Sequence, residues 1–127
     1  MINFSPAIKI YLHRAPIDMR KSYDGLFGIV KNDLSLDVRH GGLFMFINAR
    51  RNRVKSMYWD RDGIAIWQKR LERGSWQHPQ PKDNAKHLEI DASELTLLLA
   101  GIDLASVKRR PRYVSPDVFH TPSASIV

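Results

Sequence analysis

The spacing of apolar residues changes along the chain, and each change marks a different element of secondary structure. Residues 9–12 read Lys-Ile-Tyr-Leu, a short β-branched and aromatic segment that predicts a strand ending before Pro16. In residues 19–34 apolar positions recur at intervals of three and four, which predicts an amphipathic helix to about Asn32. Asp18 stands where the N-cap of this helix would lie.

The middle of the chain has the pattern of consecutive antiparallel strands. The unbroken apolar run Leu43–Ile47 predicts a buried strand, and Arg53–Trp59 alternates between apolar and polar residues as a half-buried strand does. Asp60-Arg61-Asp62-Gly63 supplies a turn with an Asp-Gly pair before a third strand at residues 64–71. A short further strand is predicted from Trp76, closed by the prolines that follow it.

The C-terminal third begins with a second helix. Residues 91–94, Asp-Ala-Ser-Glu, have the form of a capping box, leucines follow within residues 95–99, and Gly101 acts as a stop. The elements together predict an α+β fold: one small domain over residues 1–107, with a short antiparallel sheet of three to five strands and two or three helices packed on one side. Residues 108–127 are predicted to be a flexible tail, basic at first and then containing Ser and Pro.

Composition narrows the class of protein. At 127 residues with 43% hydrophobic content, the chain has material for one core and one domain. It has no cysteine, which excludes a disulfide framework and thiolate metal sites. The N-terminus has no targeting pattern and no apolar run is long enough to span a membrane, so we expect a soluble, cytoplasmic protein without a membrane partner.

Positive charge is concentrated in the middle of the chain. The formal net charge is +7 with a sequence pI near 10.0, and residues 43–76 hold eight Lys or Arg against three acids. A surface with a strong positive field is typical of proteins that bind polyanions. Nucleic acid is therefore the predicted partner, and general solubility is the alternative explanation of the charge.

Basic and aromatic residues alternate in the predicted strands of this window. Because alternate side chains of a strand share a face, Arg53, Lys55 and Trp59 are expected on one side of the sheet. Arginine and lysine pair with phosphates, and an aromatic plane stacks on a base. The competing interpretation has Trp59, Trp67 and Trp76 in the core and the basic groups as a solvated rim. The candidate DNA-binding residues are Arg50, Arg51, Arg53, Lys55, Trp59, Lys69, Arg70 and Arg73.

Few residue patterns in the chain indicate catalysis. The five histidines lack metal-ligand spacing, and the sequence has no phosphate-binding glycine loop, nucleophile elbow or cysteine nucleophile. Asp60, Asp62 and Glu72 are the only acids near the basic strands, and converging carboxylates would hold Mg²⁺ in a nuclease. A turn before Gly63 explains the two aspartates better. No catalytic residue, metal site or cofactor is predicted.

Several segments of the chain resemble a family of proteins from bacterial mobile elements. The matching segments are residues 10–12, 16–26, 43–46 and 48–55, Tyr58-Trp59-Asp60, Gly63, Trp67, residues 69–74, Glu94-Leu95 and Gly101-Ile102-Asp103. Together they are similar to the accessory protein of the insertion-sequence-66 family, the product of the element's second reading frame, usually called TnpB. This family is distinct from the RNA-guided nuclease that shares the label. The chain departs from the family pattern at Ala49, Arg61 and Ile64.

The resemblance implies a small protein that acts beside a separate, larger transposase, which carries the catalytic residues. We therefore expect a non-catalytic accessory factor of DNA transposition that binds DNA at the element ends and assists the transposase. One alternative is a protein-interaction module that binds the transposase without touching DNA, and a more distant one is a metal-dependent nuclease. A small-molecule substrate is not expected, and self-association is left open.

Overall fold

A mixed sheet of five strands, with two α-helices, forms the part of the chain that a computed structural model describes, residues 7–101. A single 3₁₀ turn at Val38–His40 precedes the second strand. The predicted tail at 108–127, together with residues 1–6 and 102–107 of the predicted domain, lies outside the described residues. Neither described α-helix is long and apolar enough to cross a membrane. The elements are β1 (Ile10–His13), α1 (Tyr23–Asp33), β2 (Leu43–Ile47), β3 (Arg53–Asp60), β4 (Gly63–Arg70), β5 (His87–Ile90) and α2 (Ala92–Leu99).

The strands lie in the order β4-β3-β2-β1-β5. β2, β3 and β4 form the predicted antiparallel meander, with Arg53 opposite Arg70 and Asp60 opposite Gly63. β1 runs parallel to β2, because the segment between them contains α1 and returns the chain to the end of the sheet where β1 began. The α+β class is therefore confirmed, while the sheet is mixed rather than wholly antiparallel.

The two helices pack on opposite faces of this sheet. Leu26 of α1 lies in one core cluster with Phe44, whereas Leu98 of α2 lies in the other cluster with Leu43. All five residues of β2 are buried, so this strand contributes apolar side chains to both faces. The expectation that the helices pack on one side is wrong for this reason. An unbroken apolar strand is typical of a sheet that is covered on both faces.

The first helix begins later than its apolar spacing predicts. α1 starts at Tyr23 with Ser22 as its N-cap, so the prediction of Asp18 as N-cap is wrong. Asp18 instead accepts a hydrogen bond from the backbone N–H of Arg20 at 2.9 Å. This local bond gives the backbone an alternative to the helix. Met19 nevertheless packs against the α1 face of the core, which explains why the apolar pattern extends beyond the helix.

The segment between β4 and α2 also differs from the prediction. Trp76 does not begin a strand; it is buried in coil, with its backbone N–H donating to the carbonyl of Arg51 at 2.7 Å. Its indole N–H donates to the carbonyl of Leu99, which ties this coil to α2 at 3.2 Å. The missed strand is β5, a four-residue strand antiparallel to β1.

The second helix follows its sequence signals closely. The carboxylate of Asp91 accepts from the backbone N–H of Glu94 at 2.8 Å, and the carboxylate of Glu94 accepts from the backbone N–H of Asp91 at 3.0 Å. The predicted capping box is confirmed. Gly101 has a φ of 88°, the left-handed conformation with which many helices end.

Candidate nucleic-acid interface

Basic side chains gather at one end of the sheet. The strand pairing brings the C-terminal ends of β1, β2 and β4 together with the N-terminal ends of β3 and β5. Exposed cations follow or precede these strand ends, so residues far apart in the sequence contribute to one positive surface. We call this surface the basic end; its cations are Arg14, Arg20, Arg50, Arg51, Arg53, Lys69, Arg70, Arg73 and Lys86.

The loop between β2 and β3 is held in shape by Asn48. Its side-chain oxygen accepts from the backbone N–H groups of Asn52 at 3.0 Å and Arg53 at 2.9 Å. Its amide N–H₂ donates to the side-chain oxygen of Asn52 at 2.8 Å. Arg51 adopts a φ of 59°, an unusual conformation for a residue with a side chain. The backbone that carries Arg50 and Arg51 is therefore fixed by local bonds rather than by contacts of the arginines themselves.

An open cleft of about 640 Å³ lies between this loop and residues 16–20. The backbone N–H of Ile17 donates to the carbonyl of Ile47 at 2.9 Å and brings the two segments together. Arg50 and Arg53 line the cleft. A second groove of about 370 Å³ continues from Arg53 past Lys69. Arg53 borders both concavities, so an extended anionic chain could follow them along the basic end.

Several cations of the basic end are not neutralised by carboxylates. Within residues 7–101, no ion pair involves Arg50, Arg51, Arg53, Lys69 or Arg73. Clustered cations without partners repel one another, and an anionic ligand relieves that repulsion.

Two cations of the basic end have acidic partners on the surface. Hydrogen bonds from Arg20 hold the pKa of Asp18 at about 2, so this pair remains ionised at neutral pH. Arg70 pairs with Glu72 at 3.1 Å. Both pairs are solvent-exposed, and such pairs are weak enough for a phosphate to compete for the arginine. These two arginines therefore add less positive charge to the surface than the cations without partners.

The structure separates two predicted site residues from the others. The ammonium group of Lys55 donates to the carbonyls of Met19 at 2.9 Å and Lys21 at 2.7 Å, so it anchors the segment before α1. Trp59 lies six residues from Arg53 along β3, which corresponds to about 20 Å in a strand. The basic end thus collects six of the eight predicted residues, whereas backbone carbonyls bind the ammonium group of Lys55 and Trp59 lies near the other end of β3.

We expect Lys55→Met to lower the free energy of unfolding by about 1–3 kcal/mol, because two carbonyls lose a charged donor in a half-buried position. Urea denaturation followed by circular dichroism measures this change. Lys69→Met is the matched control, since the side chain of Lys69 is exposed and its ammonium group has no hydrogen-bond or ion-pair partner within the described residues. Equal stability of the two variants would show that the Lys55 bonds do not hold the segment.

Sequence reasoning missed contributions from outside the 43–76 window. Arg20 joins the basic end through the pairing of Ile17 with Ile47, and Arg14 and Lys86 join it because the backbone N–H of Arg14 donates to the carbonyl of Lys86 at 2.9 Å. No local pattern marks these residues. Their position depends on the parallel pairing of β1 with β2, which the sequence does not reveal.

The tryptophans differ in their burial. Trp76 is buried and Trp67 packs against the same cluster, so the core interpretation is correct for these two. Trp59 is 36% exposed and lies beside the β3–β4 turn, opposite Ile64. The indole of Trp59 therefore lies at a distance from the basic end.

The three acids considered for a nuclease do not converge. Asp60 and Asp62 flank the turn before β4, whereas Glu72 follows its other end, about 25 Å away for a strand of eight residues. No group of three His, Cys, Asp or Glu side chains within residues 7–101 could hold a metal ion.

Burial lowers the pKa of His78, whose ring Nε2 bonds the carbonyl of His13 at 2.9 Å. This bond ties the coil after Trp76 to the end of β1, so His78 has a structural role.

These features define a small α+β protein with a mixed sheet and one strongly basic end. The chain belongs to the IS66 Orf2-like family, TnpB_IS66, whose model matches residues 8–109. It is a transposition-associated accessory protein by that membership. The predicted resemblance is thereby confirmed.

Two relatives come from Sinorhizobium fredii (strain NBRC 101917 / NGR234). The uncharacterized protein y4jC is 36% identical over 111 residues, which cover 87% of this chain and 93% of the relative. The uncharacterized protein y4hO is 29% identical over 96 residues, which cover 76% of this chain and 82% of the relative. No solved structure matches the chain significantly.

Proposed function

We propose that this accessory protein binds DNA through the basic end and assists a separate transposase without catalysing a reaction itself. The observation that carries the proposal is a row of cations that have no carboxylate partner among residues 7–101 and that border two grooves sharing Arg53. Family membership supports the process, and the charge distribution supports the class of ligand.

The dimensions of the basic end suit a nucleic-acid backbone. Five strands spaced about 4.8 Å apart span about 19 Å, over which one strand of B-DNA carries five or six phosphates at about 3.4 Å each. Arginine and lysine contacts to phosphates position a protein on DNA without reading its sequence. Because Trp59 lies away from the cations, we propose phosphate contact rather than base stacking as the main source of affinity.

We expect the protein to bind duplex DNA with a steep dependence on salt. Neutralising five or six phosphates gives a slope of about −5 in log K against log salt, so affinity falls about 1,000-fold between 50 and 200 mM salt. Fluorescence anisotropy with the terminal inverted repeat of the element measures this slope, and a scrambled duplex of equal length is the control. Tighter binding to the repeat indicates recognition of the element end, and equal binding indicates a non-specific clamp.

Two results would contradict this proposal. Absence of DNA binding, together with salt-insensitive association with the transposase, would support the interaction module instead. Cleavage of the duplex by the purified protein in Mg²⁺ or Mn²⁺ would contradict the non-catalytic role, and Asp60→Ala would test the proposed acids directly.

A further inference from the structure

β4 lies at one edge of the sheet that residues 7–101 form. Within residues 7–101 it pairs only with β3, and at eight residues it is twice as long as β5 at the other edge. An exposed strand edge presents backbone donors and acceptors to which another strand can add. A long edge of this kind is a site for pairing unless charge or proline protects it.

The register shows which backbone groups face outward. The backbone N–H of Leu71 donates to the carbonyl of Asn52 at 2.8 Å, one step beyond the pair Arg53 and Arg70. Hydrogen-bonded and non-hydrogen-bonded pairs alternate in an antiparallel ladder. The residues of β4 that direct both N–H and C=O away from β3 are therefore Ile64, Ile66, Gln68 and Arg70.

Charge is distributed unevenly along this edge. Residues 63–67 are uncharged and half-buried. Asp60, Arg61 and Asp62 precede them with a net charge of −1, and Lys69 and Arg70 end the strand. Two copies of β4 in antiparallel orientation bring the acidic end of each against the basic end of the other. A parallel pair would instead place like charges together, which is unfavourable.

We propose that β4 pairs antiparallel with β4 of a second copy of this chain, in a register centred on Ile66, to form a continuous ten-stranded sheet. This register places Asp62 across from Arg70 of the second copy and Trp67 beside the small Ala65. A register centred on Trp67 would place Asp62 across from Glu72 and is disfavoured by repulsion. The proposal does not rest on DNA binding, although Arg70 belongs to both the β4 edge and the basic end.

The centre of this interface can be tested by cross-linking. The chain has no cysteine, so a single introduced cysteine forms a disulfide only between two copies. Hydrogen-bonded residues across an antiparallel pair have Cα atoms about 5.5 Å apart, which suits a disulfide. We expect Ile66→Cys to cross-link readily under mild oxidation, whereas Lys69→Cys does not, because its two copies would lie about 20 Å apart. Equal cross-linking of both variants, or none of Ile66→Cys, overturns the register.

Sedimentation equilibrium of the full chain tests the interface itself. The wild type is expected to be a dimer at about 100 µM, and Gln68→Pro is expected to be a monomer because proline removes an outward N–H without removing a bond to β3. Gln68→Ala is the matched control and remains a dimer. Asp62→Arg is expected to weaken the dimer at least tenfold, and adding Arg70→Asp restores it. A monomeric wild type, or a dimeric Gln68→Pro with native circular dichroism, refutes the proposal.

Discussion

Replacing Trp76 with alanine is expected to lower the free energy of unfolding by about 3–5 kcal/mol, the largest stability change that we predict for this chain. Trp76 is only 2% exposed and belongs to the cluster between the sheet and α2. Its indole N–H also donates to the carbonyl of Leu99 at 3.2 Å. Alanine leaves a cavity and removes the donor. Because the free energy of unfolding of a domain is about 5–15 kcal/mol, this loss is a large fraction of the total stability.

Urea denaturation with far-ultraviolet circular dichroism measures the loss. Trp59→Ala is the control, since Trp59 is 36% exposed and its removal should cost under about 1 kcal/mol. Trp76→Phe should give an intermediate loss, because the ring remains while the N–H donor is removed. Similar losses for Trp76→Ala and Trp59→Ala would show that the described packing around Trp76 does not support the fold.

The parts of the fold that the sequence predicted depend on neighbouring residues. Alternation in β3 and the four-residue turn Asp60-Arg61-Asp62-Gly63 define the hairpin with β4, although Arg61 rather than Gly63 takes the positive φ. The reciprocal bonds of Asp91 and Glu94 define the start of α2. In each case the residues that determine the element lie within a few positions of one another. Local backbone preference and local hydrogen bonding are therefore sufficient.

The parts that the sequence did not reveal depend on distant pairing. β5 contains only four residues, too few for its alternation of polar and apolar side chains to be distinctive, and it is a strand because β1 offers it an edge. The parallel pairing of β1 with β2 is set by the path of the chain through α1, which no short pattern encodes. The burial of β2 on both faces was visible as an unbroken apolar run, and it was the signal that helices would cover both sides.

The sequence predicted only part of the candidate site, because the rest of the site also depends on contacts between distant residues. Strand periodicity predicts the face of the sheet on which a side chain lies. Binding at the end of a sheet depends instead on the position of the residue along its strand. Lys55 and Trp59 share a face with Arg53, yet two backbone carbonyls bind the ammonium group of Lys55 and Trp59 lies near the far end of β3. Arg20 lies outside the predicted strands, so strand periodicity does not mark it. It lies at the basic end because the backbone N–H of Ile17 donates to the carbonyl of Ile47.

Reversing two charges at the basic end is expected to weaken DNA binding at least about 100-fold at low salt. The variant Arg50→Glu/Arg53→Glu is the most informative, because both side chains line the larger cleft and neither has an ion-pair partner within residues 7–101. Losing two phosphate contacts should also reduce the magnitude of the salt slope by about 2. Arg51 is left unchanged, because its φ of 59° and its carbonyl bond to Trp76 support the loop.

The matched control is Lys9→Glu/Lys31→Glu, which reverses two exposed charges away from the basic end. Both double variants lower the formal net charge from +7 to +3, since each substitution removes two units. Anisotropy titrations of both variants against one duplex separate a local surface from a general effect of charge. If the basic end is the interface, the control retains most of its affinity and salt slope while the arginine variant loses both. Equal losses would instead mean that DNA responds to the net charge of the whole molecule, and the clefts beside Arg53 would have no special part in binding.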